Sequence, residues 1–402
     1  MDATKLKSSK SDIQYFSAYS ISCIALGLGF AVLGPLLPSL AAQMDVNLGQ
    51  ISFLFTANSF GYLLGSSVGG KLYDKVKGHL LMGLALGIMF LMCLVIPIVP
   101  NFSMLLLMIF LFGIGQGLLD VGANTNLLWV FQSRVGPYMN GLHFFFGVGA
   151  LLSPIIVHNV MRLANGSLTW PFWTLAFLYL PSLIGLVLLK SPDNPERDHK
   201  LNQRTSSNGW LVVLMMLLFF VYVGVEGGYG GIIYTYVTEV KVASETGAAY
   251  VNSIYWGALT LGRLITIVVA KKIAPAKILL GNFLISLLSI CLILLNPVDP
   301  ITVWVGTIGL GLGFSSVFPT LLVLAETRLK ITGGITGLFF LGSSLGGMII
   351  PMLLGQIFEY VGTAQVMTTI FAFLILGLIV LISVILASNR AGEKNRVEEL
   401  QG

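Results

Sequence analysis

Charged residues are scarce in this chain, because Asp, Glu, Lys and Arg together make up only 10% of its 402 residues. A soluble protein carries about 25% charged residues, so this composition excludes a soluble globular protein. Hydrophobic residues make up 56% of the chain, and apolar runs of about 18 residues or more recur from end to end. Each run is long enough to cross a bilayer, which predicts an all-α polytopic membrane protein.

Cysteine is also rare, and Cys23, Cys93 and Cys291 are scattered through apolar runs. Their spacing fits neither a disulfide framework nor a metal site, so we interpret them as small buried residues. The sequence contains no G-x-x-x-x-G-K-[ST] phosphate-binding loop, no metal-ligand cluster and no nucleophile–base pattern. The protein is therefore expected to be neither an enzyme nor driven by ATP, and no cofactor is predicted.

The apolar runs predict twelve transmembrane helices, which we call spans 1 to 12. Their predicted limits are residues 13–41, 50–71, 79–98, 102–131, 137–163, 169–190, 210–239, 246–271, 277–296, 301–325, 331–360 and 364–388. Nearly all of the 22 Lys and Arg residues fall on the N-terminal side of the membrane in this arrangement. By the positive-inside rule, both termini are expected in the cytoplasm, with the protein in the plasma (inner) membrane. These loops account for the net charge of +5, so no nucleic-acid partner is expected.

The two halves of the chain are related by a repeat. At an offset of 196 residues (309 − 113), "GIGQG" of span 4 aligns with "GLGLG" of span 10. The polar stretch 191–209 is the only long connection, and we interpret it as a flexible cytoplasmic linker. This predicts an N-terminal six-helix bundle, residues 1–190, and a C-terminal one, residues 210–402. Repeats with an even number of helices run parallel, as in transporters that rock around a central site.

Polar side chains form a stripe in span 4, inside "GIGQGLLDVGANTNLLW". Gln116, Asp120 and Asn124 are spaced i, i+4 and i+8, so all three lie on one face of the helix. A charge within the membrane is costly and normally marks a functional site. A carboxylate between two amides can bind a cation or a polyhydroxyl ligand, with Thr125 at the edge of the stripe. The alternative is that the amides only join neighbouring helices.

Span 7 carries a second acidic residue in "YVGVEGGYGGIIYTY". Four glycines surround Tyr229 just after Glu226, and we expect this segment to bend or unwind as transporter helices do at their sites. Both residues are candidates for substrate binding. For Glu226, the alternative is a buried pair with a histidine or an arginine.

Four further polar residues lie in spans 5 and 8. Asn252 and Trp256 of span 8 are candidate substrate contacts, because the tryptophan ring can stack on a sugar face. His143 of span 5 either lines the cavity or packs against neighbours. Arg263 is predicted to brace the cytoplasmic gate of the second half rather than to contact substrate.

With these residues the sequence resembles the major facilitator superfamily, and within it the fucose permease-like and sodium-dependent glucose transporter-like branch. The resemblance rests on "GIGQGLLDVGANTN", "NGLHFFFGVGALLSP" and "YVGVEGG" within the twelve-span frame. Fucose permeases carry an acidic residue in helix 4, matched here by Asp120, and use an aspartate in helix 1, which this sequence lacks. The pattern is therefore more similar to the sodium-dependent glucose transporters.

The loop "GGKLYDKVKGH" resembles the G-x-x-x-D-[RK] loop of the same superfamily. The resemblance implies that Asp74 helps to lock the cytoplasmic gate. The coupling ion is expected to be sodium or a proton. Asp120, Asn124, Thr125 and Asn58 of span 2 could supply oxygens for sodium, whereas a proton needs only a carboxylate. No metal site is predicted beyond this sodium site.

The sequence thus predicts a secondary active transporter, a cation-coupled symporter of a sugar or similar small polar solute. We expect a monomer with a small-molecule substrate and the lipid bilayer as its partners. The alternative is a proton-coupled efflux antiporter for amphipathic compounds or lipids. That alternative predicts the helix 5 signature G-x-x-x-G-P-x-x-G-G, which "GVGALLSPII" matches poorly. A receptor or scaffold on a transporter fold would need long soluble extensions, and the tails and loops are short.

Overall fold

The structure, a computed structural model, describes residues 10–193, 209–329 and 333–401. Over these residues it contains helices and no strand, which confirms the all-α fold. The α-helices are α1 Lys10–Phe30, α2 Leu33–Met44, α3 Leu48–Ile51, α4 Phe53–Tyr73, α5 Gly78–Val95, α6 Phe102–Phe131, α7 Val135–Leu163, α8 Thr169–Leu188, α9 Gly209–Glu239, α10 Glu245–Val269, α11 Pro275–Leu295, α12 Pro300–Phe314, α13 Val317–Glu326, α14 Gly333–Tyr360 and α15 Thr363–Gln401.

Each predicted span coincides with one helix or with two consecutive helices. By length and composition, ten segments of the described residues can cross a membrane, and one of them, Phe102–Leu163, contains both α6 and α7. The helix of span 2, α4, is not among the ten, because Thr56, Asn58 and several serines and glycines lower its hydropathy. At the C-terminus, α15 continues to Gln401, since the charged sequence after span 12 is rich in good helix formers.

Three predicted spans are interrupted. Span 1 breaks at residues 31–32, span 2 at Ser52 and span 10 at residues 315–316. Proline follows two of the breaks: Pro35 lies in the first turn of α2 and Pro319 in the first turn of α13. Proline has no N–H to donate to the preceding turn, but it is tolerated where that N–H would have no partner within the helix.

The repeat is visible in the helix limits. Shifted by 196 residues, α6 falls on residues 298–327, which contain α12 and α13. The same shift places α5 on α11, α7 on α14 and α8 on α15. The breaks do not repeat, because α6 is continuous where α12 and α13 are separated, and α9 is continuous where α1 and α2 are separated.

By its internal contacts the chain forms two compact units. Unit 1 comprises Met1–Val32 and Phe60–Lys200, and unit 2 comprises Leu33–Ser59 and Leu201–Gly402. The first boundary thus falls at the break between α1 and α2, and the second inside α4. The predicted division into residues 1–190 and 210–402 stays a prediction, and most of the predicted linker, residues 194–208, lies outside the described residues.

Unit 1 is held together by close helix packing and by buried hydroxyl groups. α1 lies directly against α7, where Gly27 and Gly149 each face the backbone of the other helix. The Ser22 hydroxyl is 2.7 Å from that of Ser182 in α8, and the Ser153 hydroxyl donates to the Leu28 carbonyl oxygen at 2.7 Å. Small residues let membrane helices approach closely, and polar side chains then bond across the contact.

Gly149→Ala is expected to destabilise the protein, because the added Cβ would clash with the backbone of Ile24 in α1. Overpacking of this kind costs about 1–3 kcal/mol, to be measured by thermal unfolding in detergent. Gly87→Ala in α5 is the matched control, since its Cβ would meet nothing within 4 Å and alanine favours a helix. Equal melting temperatures for the two variants would contradict the packing argument.

In unit 2, a ladder of hydrogen bonds joins α3 and the start of α4 to the end of α14. The Gln356 amide donates to the Gly49 carbonyl oxygen at 2.6 Å, and the Leu48 N–H donates to the Glu359 carboxylate at 3.1 Å. A carboxylate at the first turn of a helix is stabilised by its free N–H groups. Three hydroxyl donors continue the ladder, from Ser52 to Met352, Thr56 to Met348 and Ser59 to Gly347.

Candidate functional site

The polar stripe predicted in span 4 lies on one continuous helix, α6. Its central carboxyl group, that of Asp120, accepts a hydrogen bond from the Tyr62 hydroxyl of α4. The Asn124 amide, one turn further on, donates to both the Asp120 carboxylate and its backbone carbonyl oxygen, each at 2.9 Å. Among the described residues, the side chains that bond to Asp120 are therefore both neutral. Tyr62 was not predicted from the sequence.

The third member of the stripe, Gln116, differs from the other two. Its side chain is buried, with 1% of its surface exposed, whereas Asp120 and Asn124 are half-buried. Within the part of the chain that the structure describes, neither its amide oxygen nor its amide nitrogen has a hydrogen-bond partner. Such unpaired buried amides are uncommon in proteins.

The other predicted cation and cavity residues occupy varied positions. Thr125 is half-buried on α6 beside the stripe, and His143 is exposed on α7 in unit 1. Asn58 is half-buried on the part of α4 that belongs to unit 2, whereas Asp120 belongs to unit 1. The role of Asn58 as a ligand stays a prediction.

The structure brings the acidic residue of span 7 together with the basic residue of span 8. A guanidinium nitrogen of Arg263 is 3.9 Å from the Glu226 carboxylate, and their side chains are 20% and 13% exposed. At this distance the two groups form an ion pair, but they are too far apart for a hydrogen bond. The pairing corresponds to the alternative given for Glu226 in the sequence analysis, and the role of Arg263 at a gate stays a prediction.

Arg263 also binds the broken helix of span 10. Its Nε donates to the Ser315 carbonyl oxygen at 3.1 Å, and the Tyr222 hydroxyl donates to the neighbouring Phe314 carbonyl oxygen at 3.1 Å. These carbonyl groups lie where α12 ends, and helix ends leave carbonyl oxygens without partners in their own helix. The break was not predicted from the sequence, although Ser315-Ser316 followed by Pro319 is a signal for such an end.

The remaining candidates of unit 2 make internal contacts. The Tyr229 hydroxyl is 2.7 Å from the Thr307 hydroxyl of α12. Asn252 is fully buried, and its amide nitrogen donates to the Gly230 carbonyl oxygen at 2.6 Å. The buried Trp256 ring packs edge-on against Tyr255. Whether these side chains also contact substrate stays a prediction.

The glycines of span 7 do not unwind it, because α9 is helical from Gly209 to Glu239. The expectation of an unwound segment is therefore wrong. The glycines allow close packing instead: a Cβ at Gly230 would clash with the Trp256 ring.

Asp74 is exposed in the turn that follows α4, and its role at the gate stays a prediction.

Comparison with known proteins agrees with this architecture. A family model described as Major Facilitator Superfamily matches residues 19–351. Human sodium-dependent glucose transporter 1 is 28% identical over 370 residues, which cover 83% of this chain and 71% of that protein. Major facilitator superfamily domain-containing protein 4A of Xenopus tropicalis is 27% identical over 460 residues, with 92% and 88% covered.

A crystal structure of the nucleoside transporter NupG shares the fold, with a TM-score of 0.73 at 13% identity over 92% of this chain and 99% of that one. The predicted resemblance to the sodium-dependent glucose transporter-like branch is confirmed by the sequence relatives. These relatives are transporters, which agrees with the prediction that the protein is not an enzyme. Because the family model matches most of the chain, the protein belongs to the Major Facilitator Superfamily and is a multi-pass membrane transporter.

Proposed function

We propose that the protein is a cation–sugar symporter that works by alternating access, with sodium as the coupling ion. The observation that carries the proposal is the Asp120 carboxyl group within α6, bonded to the Tyr62 hydroxyl and the Asn124 amide. An acidic side chain within a membrane span is costly, and such residues mark ion and substrate pathways. In the proposal, Asp120 binds the transported cation.

Sodium is proposed rather than a proton because of the names of the sequence relatives and the neutral surroundings of Asp120. Each carboxyl oxygen accepts a bond from a neutral donor, so among the described residues no cationic side chain bonds to this group. A transported cation would supply the positive charge. Hard cations take several oxygen ligands, which the carbonyl oxygen of Asn124 and the hydroxyl of Thr125 would supply.

The substrate class is supported by the names of the sequence relatives. Several matching proteins are called sodium-dependent glucose transporters, from human, mouse and Xenopus laevis. The fold neighbour NupG is described as a nucleoside transporter, and nucleosides contain a sugar ring. A small polyhydroxylated solute is compatible with the amides and the carboxylate of the α6 stripe, because hydroxyl groups both donate and accept hydrogen bonds.

Further substrate contacts are proposed in each unit by itself: His143 in unit 1, and Glu226, Tyr229, Asn252 and Trp256 in unit 2. For Asn252, one amide hydrogen is used in the bond to Gly230, and the amide oxygen has no partner among the described residues, so the oxygen and the second hydrogen are available to a sugar. Tyr229 would exchange its bond to Thr307 for one to the sugar. The proposed location is the plasma (inner) membrane with both termini in the cytoplasm, in keeping with the basic loops.

The test uses the full chain in proteoliposomes and labelled D-glucose. An inward sodium gradient is imposed with a protonophore present, and in parallel an inward proton gradient is imposed in sodium-free buffer. We expect the sodium gradient alone to drive glucose above its equilibrium level, and a sodium ionophore to abolish that accumulation. The same assay with other neutral sugars then ranks the substrates.

Two results would overturn parts of the proposal. Accumulation with the proton gradient in the absence of sodium would make the coupling ion a proton. Uptake that only equilibrates under both gradients would make the protein a uniporter, and the role of Asp120 in coupling would fail.

A further inference from the structure

Gln116 is the one member of the α6 stripe whose hydrogen-bonding groups are unused among the described residues. Both of its amide atoms are buried and without a partner there. Burying an amide without hydrogen bonds is unfavourable, and a leucine or methionine of similar size would avoid the cost. The amide therefore needs an explanation beyond helix packing.

The position of Gln116 connects it to the proposed cation site. It precedes Asp120 by four residues on the same helix, so the two side chains lie on one face, about 6 Å apart along the axis. The neighbouring Gly117 packs against the backbone of Tyr62, the residue that bonds to Asp120. The stripe is thus fixed against α4, and a ligand bound at Asp120 would lie within reach of the Gln116 amide.

The chemistry of an amide restricts what can bind there. A cation would satisfy the amide oxygen and leave the nitrogen unpaired, whereas an anion would satisfy the nitrogen and leave the oxygen unpaired. Two adjacent hydroxyl groups satisfy both, since one donates to the oxygen and the other accepts from the nitrogen. An uncharged vicinal diol uses the whole group, and it is the ligand of this kind that a sugar offers.

We infer that Gln116 is a specificity-determining residue that binds two adjacent hydroxyl groups of a neutral sugar next to the cation at Asp120. This inference rests on the proposed function and narrows its substrate class to neutral diols. Because Gln116 is almost fully buried here, a sugar would reach it in a conformation in which the Gln116 side chain is more exposed than in this structure.

The test measures sugar binding directly, so that it does not depend on coupled transport. Purified full-length protein in detergent with sodium is titrated calorimetrically with D-glucose and with each of its monodeoxy derivatives. For the natural sequence, we expect two derivatives, lacking neighbouring hydroxyls, to bind about 10-fold to 100-fold more weakly than glucose. Gln116→Met should bind glucose and these two derivatives with the same weakened affinity.

The control variant is Asn126→Leu, which removes another fully buried amide of α6. The Asn126 amide donates to Gly122 of its own helix, and its position six residues after Asp120 places it on a different face. We expect Asn126→Leu to bind glucose as tightly as the natural sequence does, and to bind the two derivatives as weakly as the natural sequence does.

Gln116→Met should also unfold at the same or a higher temperature without sugar, because an unpaired buried amide is removed.

The outcomes separate the inference from the proposed function. Glucose affinity that is unchanged in Gln116→Met, or an absence of glucose binding to the natural sequence, would overturn the inference. If sodium still drives glucose uptake in the first of these cases, the proposed function stands. If the binding pattern is as expected but no sodium-driven uptake occurs, Gln116 binds the sugar hydroxyls as inferred and the symport proposal fails.

Discussion

Asp120→Asn is expected to lower sodium-driven sugar uptake by about 100-fold or more at low sodium concentrations. The variant keeps the size of the side chain and an oxygen that can accept a hydrogen bond from Tyr62, but it removes the negative charge. A charge pair near 4 Å contributes about 4 kcal/mol at an effective dielectric constant of 20, and each 1.4 kcal/mol is about a factor of ten in affinity. Uptake against increasing sodium in proteoliposomes measures the loss.

The matched control is Asp45→Asn in the turn between α2 and α3. Asp45 is exposed, and its φ of 51° lies in the left-handed region that asparagine also adopts. This variant should keep the uptake rate and its dependence on sodium. If Asp120→Asn transports sugar with unchanged sodium dependence, Asp120 does not bind the coupling ion, and another oxygen cluster must do so.

The helices of this protein follow from its sequence because a membrane span requires a long apolar run, which is a strong signal. The positions of the breaks do not follow so directly. Four glycines in span 7 favoured unwinding there, yet α9 is continuous, and the corresponding break lies between α1 and α2. Pro35 has no N–H to donate to the turn before it, where the break lies, whereas Gly230 packs against the Trp256 ring within the continuous α9.

The candidate site shows a similar limit. Spacing within one helix predicts that Gln116, Asp120 and Asn124 share a face, and two of them are bonded to each other. The pattern says nothing about which residue of a neighbouring helix faces them, so Tyr62 could not be predicted. For the same reason the sequence left two alternatives for Glu226, and only the packing of α9 against α10 brings Arg263 to it.

Unit 2 therefore contains an arginine with two roles that a single substitution would disrupt. Arg263 supplies the positive charge next to Glu226 and the donor to the Ser315 carbonyl oxygen at the break between α12 and α13. Ser316 is related to Asp120 by the repeat (120 + 196), and its hydroxyl is 2.8 Å from the Asn282 amide nitrogen. Within unit 2, polar side chains of α10 and α11 thus bond to residues 315 and 316. By the repeat, this is the position that corresponds to Asp120 in unit 1.

Arg263→Met is accordingly expected to destabilise the protein by about 2–3 kcal/mol, because it leaves a largely buried carboxylate without its cation and a carbonyl oxygen without its donor. Glu226→Gln combined with Arg263→Met should recover part of this loss, since the double variant no longer buries an unpaired charge. Thermal unfolding in detergent measures both, with Arg162→Met, an exposed arginine near the end of α7, as the control. A double variant no more stable than Arg263→Met alone would mean that the bond to Ser315, and not the ion pair, carries the stabilisation.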